Sequence, residues 1–150
     1  MTAVVSPDVW GAMCIYAEAR NQPFDGQVAV GITIRERMRL KHFSDGTVVG
    51  TVWKPAQYSW TLSTDAQRQR VLAVEADTDA WHTAVQAWEA SEGSDLLPPG
   101  TVSYYNPAVV ARKPAWAISD EFEFVRRIGD HLFYRLTAVA RRGKLLEGGK

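Results

Sequence analysis

The sequence predicts a single α+β domain that is mostly helical and carries a small antiparallel sheet in its C-terminal third. Three observations support this fold class. Apolar segments with helical spacing occupy most of the chain before residue 92, and short β-prone segments follow only after residue 100. A chain of 150 residues, 46% of them hydrophobic, is also long enough for one compact core.

The first helix is predicted from the segment after Ser6. Serine is a good helix cap and Pro7 suits the first helical position, and a broad apolar run follows over residues 9–19. The helix is expected to stop before Pro23, because the residue preceding a proline is pushed out of helical geometry.

The second helix is predicted to start at Asp25 as its cap. Residues 26–34 are apolar nearly all round, which is typical of a buried helix. Residues 35–39 are mostly charged, so the C-terminal turns are expected to emerge into water, with Glu36 exposed.

The middle of the chain is expected to be irregular over residues 41–64 and helical over residues 65–76 and 79–91. The last of these helices has an apolar stripe with the i, i+3, i+4, i+7 spacing of a face that packs against a core. Its members are Trp81, Ala84, Val85 and Trp88.

Strands are predicted at residues 101–105 and 121–125, with residues 131–135 as the hairpin partner of the second. The domain is expected to end at residue 142. Residues 143–150 are polar and glycine-rich and are predicted to form a flexible tail.

Several kinds of function are disfavoured by composition. The formal net charge is zero, so the chain as a whole does not attract nucleic acid. Cys14 is the only cysteine, and the three histidines form no pattern of metal ligands. The sequence therefore predicts no metal and no cofactor. It contains no apolar run long enough for a membrane span and no apparent secretory signal, so synthesis in the cytoplasm is expected.

Glu18 is the residue with the strongest catalytic potential. On a helix it shares a face with Gly11, Cys14 and Ile15, none of which is charged. A carboxyl group at the end of such an apolar stripe is partly desolvated, which raises its pKa and keeps it protonated nearer neutral pH. A general acid for glycosidic bonds requires this property. The alternative is a solvated residue at the helix end, paired with Arg20.

Five segments, in order, resemble those of cell-wall hydrolases related to spore-cortex-lytic enzymes. The opening segment combines Tyr-Ala-Glu-Ala-Arg, ending at Arg20, with Asp-Gly-Gln-Val-Ala-Val after Phe24. The others are residues 54–60, 102–107, 114–117 and 128–134. The resemblance covers roughly residues 9–135. It implies a fold similar to that of lysozymes and lytic transglycosylases, and cleavage of peptidoglycan between N-acetylmuramic acid and N-acetylglucosamine. The sequence leaves open whether the enzyme is a muramidase or a lytic transglycosylase.

The resemblance also implies roles for individual residues. Glu18 matches the catalytic glutamate of the first helix. The residues expected to line the substrate cleft are Gln57, Tyr58, Ser59, Tyr105, Asn106, Trp116 and His131. His131, and Tyr134 near it, have a second interpretation, in which they hold the sheet against the first helix. No second catalytic carboxylate is identified, although Asp25, Glu36, Asp120 and Glu121 are candidates.

Two further hypotheses belong to other classes of protein. One is a cysteine amidase that cuts the peptide stem with Cys14 and His131, and the other is a glycan-binding module without catalysis. For the glycosidase, the partner is the peptidoglycan glycan strand, and a monomer is expected. Without a visible export signal, the chain is expected to be a phage endolysin that reaches the periplasmic wall after release from the host cytoplasm.

Overall fold

The computed structural model of the chain describes residues 6–75 and 77–147. The helices are α1 (Asp8–Ala19), α2 (Phe24–Leu40), α3 (Val48–Val52), α4 (Arg68–Leu72), α5 (Asp79–Ser91) and α6 (Ala138–Glu147). The strands are β1 (Thr101–Tyr105), β2 (Phe122–Ile128) and β3 (His131–Leu136). Single 3-10 turns occupy Ser59–Thr61 and Ala115–Ile118. Helices α1 to α5 precede the sheet as predicted, and α6 follows it.

Helix α1 begins close to the predicted position. Pro7 occupies the cap position with helical dihedral angles, and the hydroxyl of Ser6 accepts a hydrogen bond from the Asp8 amide at 3.4 Å. Helix α2 begins at Phe24, so the prediction of Asp25 as its cap was wrong. Asp25 lies instead in the first turn, where a negative charge is favourable next to the helix dipole.

The core lies where α1 and α2 pack against α5. Two glycines allow this close approach, because a Cβ on Gly11 would lie 2.7 Å from the Trp88 ring and one on Gly31 would lie 2.7 Å from the Ser91 hydroxyl. Ala84 and Trp88 are buried in this interface, while Trp81 and Val85 pack at its margin. The predicted apolar stripe of α5 is therefore confirmed.

Replacing Gly11 with alanine is expected to lower the free energy of unfolding by about 1–3 kcal/mol, the usual cost of overpacking a core. The added Cβ displaces the Trp88 ring, whose nitrogen also donates to Asp8 at 3.0 Å. Urea denaturation followed by tryptophan fluorescence measures the loss. Gly143→Ala is the matched control in α6, where a Cβ meets open space. The interpretation is wrong if the two variants are equally stable.

The sheet has the strand order β1-β3-β2 and is antiparallel throughout. Gly129 and Asp130 form the predicted hairpin turn between β2 and β3. The register of β2 shifts between Phe124 and Arg126, which interrupts the expected alternation. Phe124 is consequently 54% exposed, while Val125 packs against the core.

Four other sequence expectations differ from the structure. Residues 41–64 include helix α3, and the helix predicted over residues 65–76 is limited to the five residues of α4, with Ala76 outside the described residues. Helix α6 continues to Glu147, so residues 143–147 of the predicted tail are helical, while residues 148–150 lie outside the described chain. No helix in the described ranges is long and apolar enough to cross a membrane.

Glu36 is the fourth exception, because it is not the exposed helix residue that the sequence indicated. Only 15% of its side chain is accessible. Its carboxylate pairs with Arg39 at 2.8 Å and accepts a hydrogen bond from the Gly100 amide at 2.7 Å. These contacts lower the pKa of Glu36. Glu36 therefore attaches α2 to the loop before β1 and has a structural role.

Candidate active site

Glu18 lies on the last turn of α1 and is partly buried at the base of a cavity of about 360 Å³. The turns that precede it are anchored by Cys14 and Ile15, both fully buried. The same cavity is lined by Ser59, Asn106 and His131, three of the residues predicted to meet substrate. The fold therefore brings these four sequence-predicted residues together.

Burial has the largest effect on the pKa of the Glu18 carboxyl group. It raises the pKa of Glu18 from 4.5 to about 7, and the charge of Asp65 acts in the same direction. A hydrogen bond from Tyr104 and the positive charge of Arg37 oppose this increase. The predicted desolvation is confirmed, and it leaves a carboxyl group that is partly protonated at neutral pH. Such a group can donate a proton and later accept one.

Tyr104 is a site residue that sequence reasoning missed. Its hydroxyl hydrogen-bonds to Glu18, and its ring lies 4.9 Å from the ring of His131 and 5.5 Å from that of Phe133. Adjacent strand residues point to opposite faces, so only one of Tyr104 and Tyr105 can reach Glu18. The sequence does not say which of the two it is.

Tyr105 occupies the opposite face of β1, and its predicted place in the cleft was wrong. Its ring is 6.0 Å from that of Trp116 and 5.9 Å from that of Tyr134. Neither cavity beside Glu18 is lined by Tyr105. The side chain instead belongs to an aromatic cluster with Tyr134 and Trp116, of which Trp116 lines the larger cavity.

Arg37 is the second site residue that the sequence did not indicate. Although it was expected to emerge into water, it is 9% exposed. Its guanidinium donates to the carbonyl of Val102 at 2.6 Å and to Oε1 of Gln57 at 2.9 Å. The guanidinium therefore joins α2 to β1 and fixes the Gln57 side chain. With its oxygen engaged, Gln57 has its amide N–H groups available for a substrate.

Tyr58 was predicted to line the cleft, but the structure contradicts this. It is 3% exposed and its ring lies 5.6 Å from the Arg37 guanidinium. Its hydroxyl has no hydrogen-bond partner among the described residues, and burial raises its pKa. The Tyr58 ring therefore packs in the core beneath the site, while Gln57 and Ser59 on either side of it face outward.

A second and larger cavity, of about 760 Å³, lies on the other side of Tyr104. Gln57 and Trp116, both predicted to meet substrate, line it together with Tyr104. The two cavities are lined by neighbouring residues of the same two segments. Gln57 and Tyr104 line the larger cavity, and Ser59 and Asn106 line the smaller one. We call the combined groove the cleft. Glu18 and Tyr104 lie where its two halves meet.

His131 supports the site from the hairpin. It is 6% exposed, and burial lowers its pKa, so the imidazole is neutral. Its ring packs on Tyr104 and lines the smaller cavity. The side chain of Gln22 holds this hairpin, donating to Asp130 Oδ2 at 3.0 Å and accepting from the Asp130 amide at 2.9 Å. The loop after Glu18 and the hairpin are thereby fixed to each other.

Cys14 does not have the properties of a nucleophile. It is fully buried, and desolvation raises the pKa of its thiol well above the usual value. A reactive thiol is instead partly exposed and has a lowered pKa. The amidase hypothesis therefore has no support from the environment of Cys14.

None of the four candidate second carboxylates is placed beside Glu18. Glu36 is engaged in the structural contacts described above, and Glu121 lines the larger cavity near α6. Asp25 and Asp120 are exposed, and neither lines a cavity of the cleft. Within residues 6–75 and 77–147, no group of three histidine, cysteine or acidic side chains could hold a metal ion.

Comparison with characterised proteins identifies relatives of matching fold. The spore cortex-lytic enzymes of Oceanobacillus iheyensis and Bacillus subtilis are each 29% identical to this chain over 81% of its length. The aligned chain spans 39% and 35% of those proteins, respectively. The described helices and sheet also superpose on two solved structures, both catalytic domains of SleB.

The SleB catalytic domain from Bacillus anthracis, described as a germination-specific lytic transglycosylase, matches with a TM-score of 0.63 and 23% identity over 89% of this chain and 98% of that one. The Bacillus cereus SleB domain matches with a TM-score of 0.61 and 25% identity over 89% and 93%. The predicted lysozyme-like α+β fold is confirmed. Residues 21–134 match the Cell Wall Hydrolase family, a region that starts just after Glu18. The chain therefore belongs to the cell wall hydrolase family.

Proposed function

We propose that the protein cleaves the glycan backbone of peptidoglycan at the β-1,4 bond between N-acetylmuramic acid and N-acetylglucosamine, with Glu18 as general acid and base. The observation that carries this proposal is the partly buried carboxyl of Glu18, whose pKa is raised to about 7 at the middle of the cleft. Cavities lined by Glu18 on one side and by its hydrogen-bond partner Tyr104 on the other suit an extended polymer that is cut internally.

The proposed reaction begins when Glu18 donates its proton to the glycosidic oxygen. The bond from that oxygen to the anomeric carbon breaks, and the sugar ring becomes an oxocarbenium-like species that its own 2-acetamido oxygen stabilises. Glu18, now ionised, then removes a proton from the incoming hydroxyl as that oxygen bonds to the anomeric carbon. The enzyme returns to its starting protonation state.

The incoming hydroxyl distinguishes two products. Water gives a reducing muramic end, and the sugar's own 6-hydroxyl gives an anhydro end. We favour the 6-hydroxyl, because it is already tethered to the reacting sugar and none of the four candidate second carboxylates lies beside Glu18 to activate a water. Asp65 affects the pKa of Glu18 but is not among the residues that line the cleft.

The proposed substrate contacts come from both walls of the cleft. The amide of Gln57 and the side chains of Ser59 and Asn106 can donate hydrogen bonds to acetamido and hydroxyl groups. Trp116 offers an aromatic edge at the larger cavity for contact with a sugar ring.

The test is digestion of purified sacculi followed by mass spectrometry of the soluble products. Wild-type protein is expected to release disaccharide-peptides with anhydro ends, and Cys14→Ala is expected to retain activity within about twofold because the thiol is not used. Loss of activity in Cys14→Ala alone, with release of free peptides by the wild type, would instead indicate an amidase. Binding without any release would indicate a non-catalytic module.

A further inference from the structure

The larger half of the cleft extends well beyond the residues that the proposed reaction uses. Its far end is bordered by helix α6, which contributes Val139, Gly143 and Lys144. Phe43 and Phe122 form the opposite apolar wall. We call this region the α6 subsite. Its lining includes Tyr104, whose hydroxyl hydrogen-bonds to Glu18, so a group attached to the strand being cut can enter it.

The α6 subsite has a positive electrostatic character. Arg37 lies at its inner side and Lys144 at its outer side, and both lower the pKa of the buried His42 between them, which burial and these charges together bring to about 3. The imidazole is therefore neutral and adds no charge of its own. Glu121 is the acidic residue in the lining.

Lys144 is placed to bind an anion. Its ammonium lies 5.8 Å from the centre of the Phe43 ring. The two ion pairs found among the described side chains, Glu36–Arg39 and Glu123–Arg135, do not involve it. A carboxylate entering the subsite would meet this ammonium beside an apolar wall, where a charge-assisted hydrogen bond is stronger than in open water.

We infer that the α6 subsite binds the peptide branch carried by N-acetylmuramic acid, with a branch carboxylate at Lys144. This inference rests on the proposed function. The backbone sugars are neutral apart from the lactyl group, whereas the branch carries several carboxylates and small methyl side chains. Two cations beside apolar surfaces from Phe43 and Val139 match that combination better than they match another sugar ring.

The experiment compares two soluble glycan substrates: strands with intact peptides, and the same strands after an amidase has removed the peptides. Lys144→Glu is expected to raise KM about tenfold on peptide-bearing strands, with kcat nearly unchanged, because Lys144 is not among the charges that act on Glu18. On peptide-free strands the change is expected to be below about twofold. The matched control is Arg142→Glu, an equal charge reversal on the exposed side of the same helix and outside the cleft.

A second pair of variants tests the volume of the subsite. Gly143 lines the cleft, and a Cβ there meets open space, so Gly143→Leu fills the subsite without disturbing the helix. It is expected to raise KM on peptide-bearing strands, while Gly143→Ala does so much less. Equal losses on both substrates for Lys144→Glu and Gly143→Leu would overturn the inference and indicate that the subsite holds sugars.

Direct binding separates this inference from the proposed function. A purified muramyl tetrapeptide is titrated into wild-type protein, Lys144→Glu and Arg142→Glu and followed by calorimetry. Weaker binding to Lys144→Glu alone supports the subsite even if no glycan is cut. Unchanged binding and unchanged KM in Lys144→Glu overturn the subsite, and cleavage by the wild type leaves the proposed function intact.

Discussion

Replacing Glu18 with glutamine is expected to slow glycan cleavage about a thousandfold, within the range that a positioned general acid contributes. The glutamine has nearly the same size and can still accept the hydrogen bond from Tyr104, but it carries no acidic proton for the leaving oxygen. Release of soluble muropeptides from sacculi measures the rate. A variant that retains more than a tenth of wild-type activity would contradict the assignment of Glu18.

The same substitution is expected to stabilise the fold at alkaline pH. Because the pKa of Glu18 is about 7 in the folded protein and about 4.5 ordinarily, the unfolded chain loses this proton first as pH rises. The free energy of unfolding of the wild type therefore falls by up to about 3 kcal/mol as the pH rises from the ordinary pKa to the raised one. Above pH 7 it levels off. Glu18→Gln is expected to match wild type at pH 4 and to exceed it at pH 8 in urea denaturation.

This stability pattern is also the control for folding. A loss of activity caused by misfolding would be accompanied by lower stability at every pH. Loss of activity with greater stability at pH 8 is expected only when a desolvated carboxyl group has been removed from a site that requires it.

Most of the fold was predictable because local patterns determine it. Apolar spacing placed α1, α2 and α5 within a residue or two of their observed bounds, and the hairpin followed from a glycine between alternating segments. The prediction failed where contacts distant in sequence decide the outcome. Helix α6 begins after β3, and the side chain of Arg141 in it packs against Gly100 in the loop before β1, a long-range contact that composition alone does not reveal.

The candidate site was predictable in part for the same reason. Glu18 stands out because its helix face is apolar, a property visible in the sequence. Tyr58 and Tyr105 were misplaced because a tyrosine in a loop or strand can face substrate or core, and only the packing of neighbouring elements decides which. Arg37 was missed because arginine near a helix end is ordinarily solvated. Its burial depends on acceptors from Gln57 and Val102, both distant in sequence.

Replacing Arg37 with methionine is expected to have the second-largest effect. The change removes donors to Val102 and Gln57, leaves those acceptors without partners, and is expected to cost about 2–4 kcal/mol of unfolding free energy. It also removes a positive charge that lowers the pKa of Glu18. The pKa of Glu18 should therefore rise further above 7 in the variant.

The sign of this shift predicts the pH profile. Since Glu18 must be protonated to start the reaction, kcat/KM of wild type is expected to fall as pH rises above about 7. In Arg37→Met this decline should begin at a higher pH, while the rate at its maximum is lower because Gln57 is no longer held. Arg37→Lys keeps the charge and should restore the wild-type pH dependence without restoring the full rate.

Arg35→Met is the matched control for this experiment. Arg35 lies two residues earlier on the same helix and also makes interior contacts, donating to the Ser91 hydroxyl and to the Trp88 carbonyl, both at 2.8 Å. Its loss should reduce stability by a similar amount without moving the alkaline decline of kcat/KM, because Arg35 is not among the charges that act on Glu18. If both variants shift the decline equally, the effect comes from destabilisation, and the electrostatic role of Arg37 is wrong.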